Sequence, residues 1–118
     1  MFDPKNLSKL KEEYNSIIDI SAMKIDSTES TDIYEIYFLS QKKVIDLKSF
    51  QIKNQEHLST LKPFLTHKNK DLRDLVYKCY QSLQGIEEKI PSDIENMNKL
   101  KIQAVEKFHI NFEKNEGV

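Results

Sequence analysis

Cys79 and the three histidines are the side chains that could carry covalent chemistry in this chain of 118 residues. A nucleophilic cysteine needs an adjacent imidazole or another cation that lowers the pKa of its thiol. Cys79 instead lies four residues after Leu75 and four before Leu83, on the apolar side of a predicted helix. A cysteine in that position behaves as a small hydrophobic residue. We therefore predict no catalytic residue, and the chain is not expected to be an enzyme.

The histidines offer one further chemistry, because an exposed histidine beside lysines on a helical bundle is the pattern of a phosphotransfer module. His57 precedes Lys62, and His67 precedes Lys68 and Lys70. Neither histidine has a small neighbour that would let a partner domain approach its ring. Histidine phosphotransfer centred on His57 or His67 is the alternative function. No His-x-x-x-His pair occurs, so we predict neither a metal site nor a cofactor.

The charges are balanced, since 18 Lys and Arg residues face 19 Asp and Glu residues and the net charge is −1. No field of the whole molecule would steer the chain to nucleic acid or to an anionic membrane. Arg73 is the one arginine, so the chain has a single guanidinium group for bidentate hydrogen bonds to base edges. A local basic stretch of Lys62, Lys68 and Lys70 makes weak nucleic-acid binding the second alternative.

The composition predicts one small helical domain that comprises residues 1–118. With two glycines there is little material for tight hairpins or phosphate-binding loops. The single cysteine cannot form an intramolecular disulfide, which favours a reducing compartment such as the cytoplasm. No run of 18 uncharged apolar residues occurs, so we expect no membrane insertion.

The helices that must position these residues begin with Asp3 and Pro4, a capping residue followed by proline at the first helical position. Apolar residues then recur at steps of three and four, which predicts a first helix over residues 4–24. The polar run 26–32 predicts a loop. A second helix is predicted over 32–60, and a hairpin over 33–52 is the competing interpretation, because that segment is rich in β-branched and aromatic residues.

A longer pattern favours helices, because alternating steps of four and three from Ile33 to Ile86 meet apolar residues at eleven of sixteen positions. Gln51 and Asn54 are polar exceptions that lie either on an exposed stretch or inside a helix interface, where they would set the register. Pro63 predicts a break between residues 60 and 70. The alternative is one kinked helix that continues through this break.

Pro91 is predicted to end a third helix over 69–89, and Ser92 with Glu95 has the form of a capping box that begins a fourth over 92–114. The expected fold is therefore all-α, an up-and-down bundle of three or four long helices with coiled-coil-like packing. The predicted helices span residues 4–24, 32–60, 69–89 and 92–114.

The aromatic residues carry the functional prediction, because they exceed what one seam can bury. Tyrosines outside a core face are typical of protein interfaces. We predict a non-catalytic protein–protein interaction module, such as an adaptor, chaperone, inhibitor or complex subunit. Its partner would be another protein, a second copy of the chain being one option. The predicted partner-binding residues are Tyr34, Tyr37, Phe38, Ile45, Tyr77 and Tyr80.

Overall fold

A computed structural model describes residues 2–23 and 30–116 and confirms the all-α fold. Its elements are a 3-10 turn Pro4–Asn6, helix α1 Leu7–Ile18, helix α2 Ser30–Leu61, a 3-10 turn Lys62–Thr66 and helix α3 Lys70–Glu116. None of the described residues lies in a strand. The hairpin interpretation of residues 33–52 is therefore wrong, and the second helix has nearly the predicted bounds.

The predicted first helix over 4–24 is shorter in the structure: residues Pro4–Asn6 form a 3-10 turn, and α1 begins at Leu7 and ends at Ile18, six residues before residue 24. The Asp3 carboxylate accepts a hydrogen bond from the Lys5 amide at the start. At the other end the backbone of Asp19 is extended, and its carboxylate accepts from the Ser21 amide. Short polar side chains compete with helical hydrogen bonds in this way, so the helix ends at Ile18 and a turn follows it. Of the predicted loop 26–32, residues 26–29 lie outside the described residues and 30–32 belong to α2.

The predicted break at Pro63 is confirmed. Pro63 lies in the 3-10 turn, and the backbone of His67 is extended beyond it. The Asn69 side chain then accepts a hydrogen bond from the Leu72 amide, at 3.3 Å, and caps α3. Because the chain reverses at this turn, α2 and α3 are not one kinked helix.

Helix α3 continues through Pro91, so the separation into helices 69–89 and 92–114 is wrong. Leu83, Ile90, Met97 and Ala104 recur every seven residues on both sides of the proline, and all are buried. Burying a large apolar side chain stabilises by about 1.5–3 kcal/mol, so this shared seam outweighs the cost of about 3 kcal/mol for a proline inside a helix. Pro91 itself is exposed. The Ser92 and Glu95 pattern therefore lies inside the helix and begins none.

The two long helices are antiparallel and α1 lies along one side of them. Ile33, early in α2, lies beside Ala104, whereas Asn54 bonds to the Leu83 carbonyl. The molecule is consequently an elongated bundle of 75 × 18 × 15 Å. The polar positions of the seam lie inside the interface, because Asn54 is completely buried. Its amide donates to the carbonyl of Leu83 at 2.9 Å and to the carboxylate of Glu87 at 3.0 Å.

Candidate functional site

The outer side of α2 carries four large apolar side chains that are each about half exposed. They are Tyr34, Phe38, Ile45 and Ile52, with exposed fractions of 59, 48, 57 and 61%. Successive spacings of four, seven and seven residues place them on one face of the helix over about 27 Å. We call these four residues the α2 stripe.

The α2 stripe faces neither of the neighbouring helices. Lys43 donates a hydrogen bond to the carbonyl of Ile17 at the end of α1, at 2.8 Å, and Lys53 forms an ion pair with Glu13 of α1. Leu47 and Asn54 are completely buried in the seam toward α3. Helical periodicity then leaves the stripe on the remaining side of α2.

The stripe runs into a groove between the beginning of α2 and the last part of α3. The groove has a volume of about 240 Å³. The rings of Tyr34 and Phe38 are 4.6 Å apart, and that of Tyr37 meets Phe38 edge-on at 5.4 Å. We call this the distal groove, and its lining residues are Ile33, Tyr34, Tyr37, Ala104, Val105 and Phe108.

Charge is distributed unevenly along this side of the α2–α3 pair. The ammonium of Lys101 lies 5.4 Å from the centre of the Tyr37 ring, at the edge of the distal groove. Lys48 is exposed on α2 at the helical position that follows Tyr34 by two heptads. Glu87 is the carboxylate on the facing side of α3, and it accepts hydrogen bonds from the amides of Gln51, Asn54 and Gln55.

The six predicted partner-binding residues fall into two groups. Tyr34, Tyr37, Phe38 and Ile45 lie on or beside the α2 stripe, although Tyr37 is half-buried. Tyr77 is 53% exposed, whereas Tyr80 is half-buried and packs against the main core. At 1.5 Å per residue, Tyr77 and Tyr80 lie about 40 Å along α3 from the residues that line the distal groove. The structure therefore does not bring all six into one surface.

Three residues of this surface were missed or misplaced by sequence reasoning. Ile52 follows Ile45 by seven residues, so the heptad spacing of the stripe was a signal for it. Val105 and Phe108 belong to the pattern that predicts an inward face of a fourth helix, yet they are 37 and 44% exposed. Leu75 is misplaced in the same way, being 46% exposed.

His57 and Cys79 pack against neighbouring side chains, whereas His67 and His109 are exposed. The His57 ring packs against that of Phe2 at an angle of 49°, with centroids 4.7 Å apart, and burial lowers the pKa of His57. His67 packs against Phe64, and its Nδ1 accepts a hydrogen bond from the Asn69 amide. Cys79 is 2% exposed and burial raises the pKa of its thiol. A buried neutral thiol is a poor nucleophile.

Metal-binding geometry is absent from the part of the chain that the structure describes. Glu106 and His109 stand at the Glu-x-x-His spacing, which the sequence reasoning overlooked. Over residues 2–23 and 30–116, however, no three His, Cys, Asp or Glu side chains are grouped as a metal ion requires. A Glu-x-x-His pair without a further ligand does not complete a metal site.

The fold and the site together define an all-α helical bundle with an exposed apolar stripe and groove on one side. Within the described ranges no helix combines the length and apolar character needed to cross a bilayer. Searches against protein-family models, curated proteins and solved structures return no match to this chain.

Proposed function

We propose that the chain is a non-catalytic protein–protein interaction module whose partner contacts the α2 stripe and the distal groove. The observation that carries the proposal is the exposure of Tyr34, Phe38, Ile45 and Ile52 along one face. Half-exposed large apolar side chains in a row expose more apolar surface than scattered single residues, and such surfaces are typical of binding sites. The roles of adaptor, chaperone, inhibitor and complex subunit all agree with such a surface.

Two physical features support a protein partner. The aromatic residues at the groove offer large apolar faces, and the tyrosine hydroxyls can stay hydrated at the rim of an interface. The stripe is also long and straight, because it follows one helix for about 27 Å. A partner that follows it over this length would contact all four side chains of the stripe. The expected compartment is the cytoplasm, since Cys79 is the sole cysteine and is buried.

The alternatives rest on side chains at the other end of the bundle. The phosphotransfer alternative needs His57 or His67 to be open to a partner; the His57 ring packs against Phe2, whereas His67 is exposed beside Phe64. The nucleic-acid alternative relies on Lys62, Lys68 and Lys70, which are exposed beside the 3-10 turn.

Site-specific photo-crosslinking in the native host tests the proposal. A photoreactive phenylalanine analogue replaces Phe38 or Val105 at the surface, or Leu75 as the matched control. Leu75 is 46% exposed, close to Phe38 at 48%, but lies near the other end of the bundle. We expect one defined protein adduct from positions 38 and 105 and none of the same mass from position 75. Equal yields of the same protein adduct from all three positions would contradict the proposal.

A loss-of-binding variant completes that experiment. Phe38→Glu places a charge in the middle of the apolar contact and should remove the adduct formed from position 105. Because Phe38 is about half exposed, the folded state should tolerate the substitution, and a far-ultraviolet circular dichroism melt checks this. Persistence of the adduct in a folded Phe38→Glu variant would show that the partner does not contact the stripe.

A further inference from the structure

The structure points to the kind of partner that fits this side of the molecule: we propose that it is an amphipathic helix with acidic residues, seated between α2 and α3. The inference rests on the proposed function, because it names the chemistry of the partner for the part of that surface where the stripe meets the distal groove.

Helix α1 shows how an amphipathic helix docks on the α2–α3 pair. Its Leu10 and Tyr14 are buried in the core that α2 and α3 share. On its flank, Glu13 pairs with Lys53 of α2 at 3.4 Å. Apolar residues toward the groove and an acidic residue toward a lysine of α2 are therefore the chemistry that this helix pair accepts on one side.

Another side of the same helix pair has the distal groove, and no helix of the described residues lies in it. Tyr34 and Tyr37 of α2 and Val105 and Phe108 of α3 line its distal part. A helix laid there would make a four-helix arrangement and would cover these rings. Helices that dock in grooves commonly bury side chains at steps of three, four and seven residues, so such a helix would turn one apolar face to these rings.

The charges on this side of the helix pair favour a partner with negative charge. At the positions that face the open groove, α2 carries Lys48 and α3 carries Lys101. Among the described residues neither lysine forms a salt bridge within 4 Å. Glu87 is the acidic residue at these positions, and three side-chain amides of α2 already occupy its carboxylate. A partner with carboxylates would therefore meet Lys48 and Lys101, of which Lys101 lies over the Tyr37 ring, whereas a basic partner would meet repulsion.

The distance between the lysines sets the spacing of the carboxylates. The antiparallel register that joins Asn54 to Leu83 places Lys48 opposite the turn of α3 just before Pro91. Lys101 lies about three helical turns beyond that turn, or roughly 17 Å along the axis. Two acidic residues about eleven positions apart on the partner helix would reach both ammonium groups, with apolar residues beyond the Lys101 end to fill the distal groove.

Two synthetic peptides test the inference on the full chain. Both are 21-residue amphipathic helices with leucine in a heptad pattern, and they differ only at two flanking positions eleven residues apart. One peptide has glutamate at both positions and the other has lysine. Fluorescence anisotropy should show that the glutamate peptide binds at least about tenfold more tightly at low salt. Equal affinity, preference for the lysine peptide, or no binding of either would overturn the inference.

Charge reversal of the protein distinguishes this site from other surfaces. The double variant Lys48→Glu, Lys101→Glu should exchange the preference, so that the lysine peptide binds more tightly. The matched control Lys9→Glu, Lys78→Glu reverses two exposed lysines on α1 and on α3 away from the groove and should leave the preference unchanged. An unchanged preference in the Lys48 and Lys101 variant contradicts the inference.

The outcome also separates this inference from the proposed function. If crosslinks from positions 38 and 105 are lost in the Phe38→Glu variant but the peptides show no charge preference, the interaction surface stands and only the acidic helix is excluded. Light scattering on the isolated chain tests whether a second copy of the chain binds in the groove instead. A dimer that dissociates in the Phe38→Glu variant would mean that a second copy fills the groove, and this result too would overturn the acidic-helix partner.

Discussion

At the scale of single residues, the contact between Tyr14 and Asp93 ties α1 to α3. The Tyr14 hydroxyl donates a hydrogen bond to the Asp93 carboxylate in a partly buried position. Burial raises the pKa of Asp93 above its usual value of 3.8, since removing a carboxylate from water disfavours its charged form. The residue therefore helps to position α1 at neutral pH while its ionised form is partly desolvated.

The raised pKa of Asp93 predicts how stability depends on pH. The folded state binds the proton more tightly than the unfolded state does. The stabilisation is thus complete below the unfolded pKa near 3.8 and is lost as the pH rises through the higher folded pKa. Asp93→Asn has no charge to desolvate, and its amide oxygen can still accept from Tyr14. Urea unfolding should show this variant to be more stable than the parent at pH 7, with the advantage shrinking toward pH 3.5.

The exposed carboxylate of Asp74 on the same helix provides the control for this prediction. Asp74→Asn removes the same charge without removing a buried hydrogen-bond partner, so it should not give the stability gain of Asp93→Asn. A parent protein that gains stability relative to Asp93→Asn between pH 3.5 and pH 7 would contradict the assignment. It would mean that the hydrogen bond to the ionised carboxylate outweighs its desolvation.

At the scale of the elements, α2 and the break at Pro63 were predictable from the sequence because local signals and tertiary packing agree there. A seam of apolar residues, a proline and the capping residue Asn69 all specify the same boundaries. The end of α1 and the course of α3 were not predictable in this way. Asp19 ends α1 through a local hydrogen bond, and Pro91 lies inside α3 because packing against α2 overrides its helix-breaking tendency.

Pro91 and Gly85 disfavour a helix but lie inside α3, so each should lower the free energy of unfolding. Pro91→Ala restores an amide that can donate to the Glu87 carbonyl one turn earlier, and we expect a gain of about 1–3 kcal/mol. Gly85→Ala should add about 0.5–1 kcal/mol. A Cβ atom at Gly85 would have no heavy atom within 4 Å apart from its own chain neighbours and helix backbone. Chemical denaturation of both single variants and of the double variant measures these gains.

Pro63 supplies the contrast, because the same substitution there acts on a turn. Pro63 fixes the backbone φ angle within the 3-10 turn and reduces the conformational entropy of the unfolded chain. Pro63→Ala is therefore expected to destabilise by about 0.4–1 kcal/mol. If Pro91→Ala lowered stability as well, α3 would have to end at the proline, and the continuous helix described here would be wrong.

At the scale of the whole molecule, the candidate site was predictable in part. Tyr34, Phe38 and Ile45 could be chosen from the sequence because they exceed what one seam can bury. Val105 and Phe108 could not, because their apolar spacing fits an inward face of a compact bundle. In the elongated molecule the polar contacts of α1 reach Lys43 and Lys53 of α2 and Asp93 of α3, in the central part of the α2–α3 pair. Near the distal groove, α2 and α3 pack against each other and against Met23. A pair of helices buries a narrower apolar stripe on each helix than a four-helix bundle does.

This uneven coverage predicts uneven local stability. The central half, with α1 packed on it, should open with a higher free energy than the distal half, where fewer apolar contacts must be broken. Native-state hydrogen exchange should therefore show amides of residues 33–39 and 97–104 exchanging at least about tenfold faster than those of 47–58 and 79–90. Leu10→Ala, which creates a cavity where α1 packs, should speed exchange in the central half and narrow the difference.

The same measurement connects stability to binding. A helix docked in the distal groove adds apolar contacts to the less protected half, and ligand binding to the folded state alone slows opening. The glutamate peptide at saturating concentration should therefore slow exchange in residues 33–39 and 97–104 more than in the central half, while the lysine peptide at the same concentration should not. Equal protection of both halves in the free protein would contradict the described packing. Peptide protection confined to the central half would place the docking site away from the distal groove.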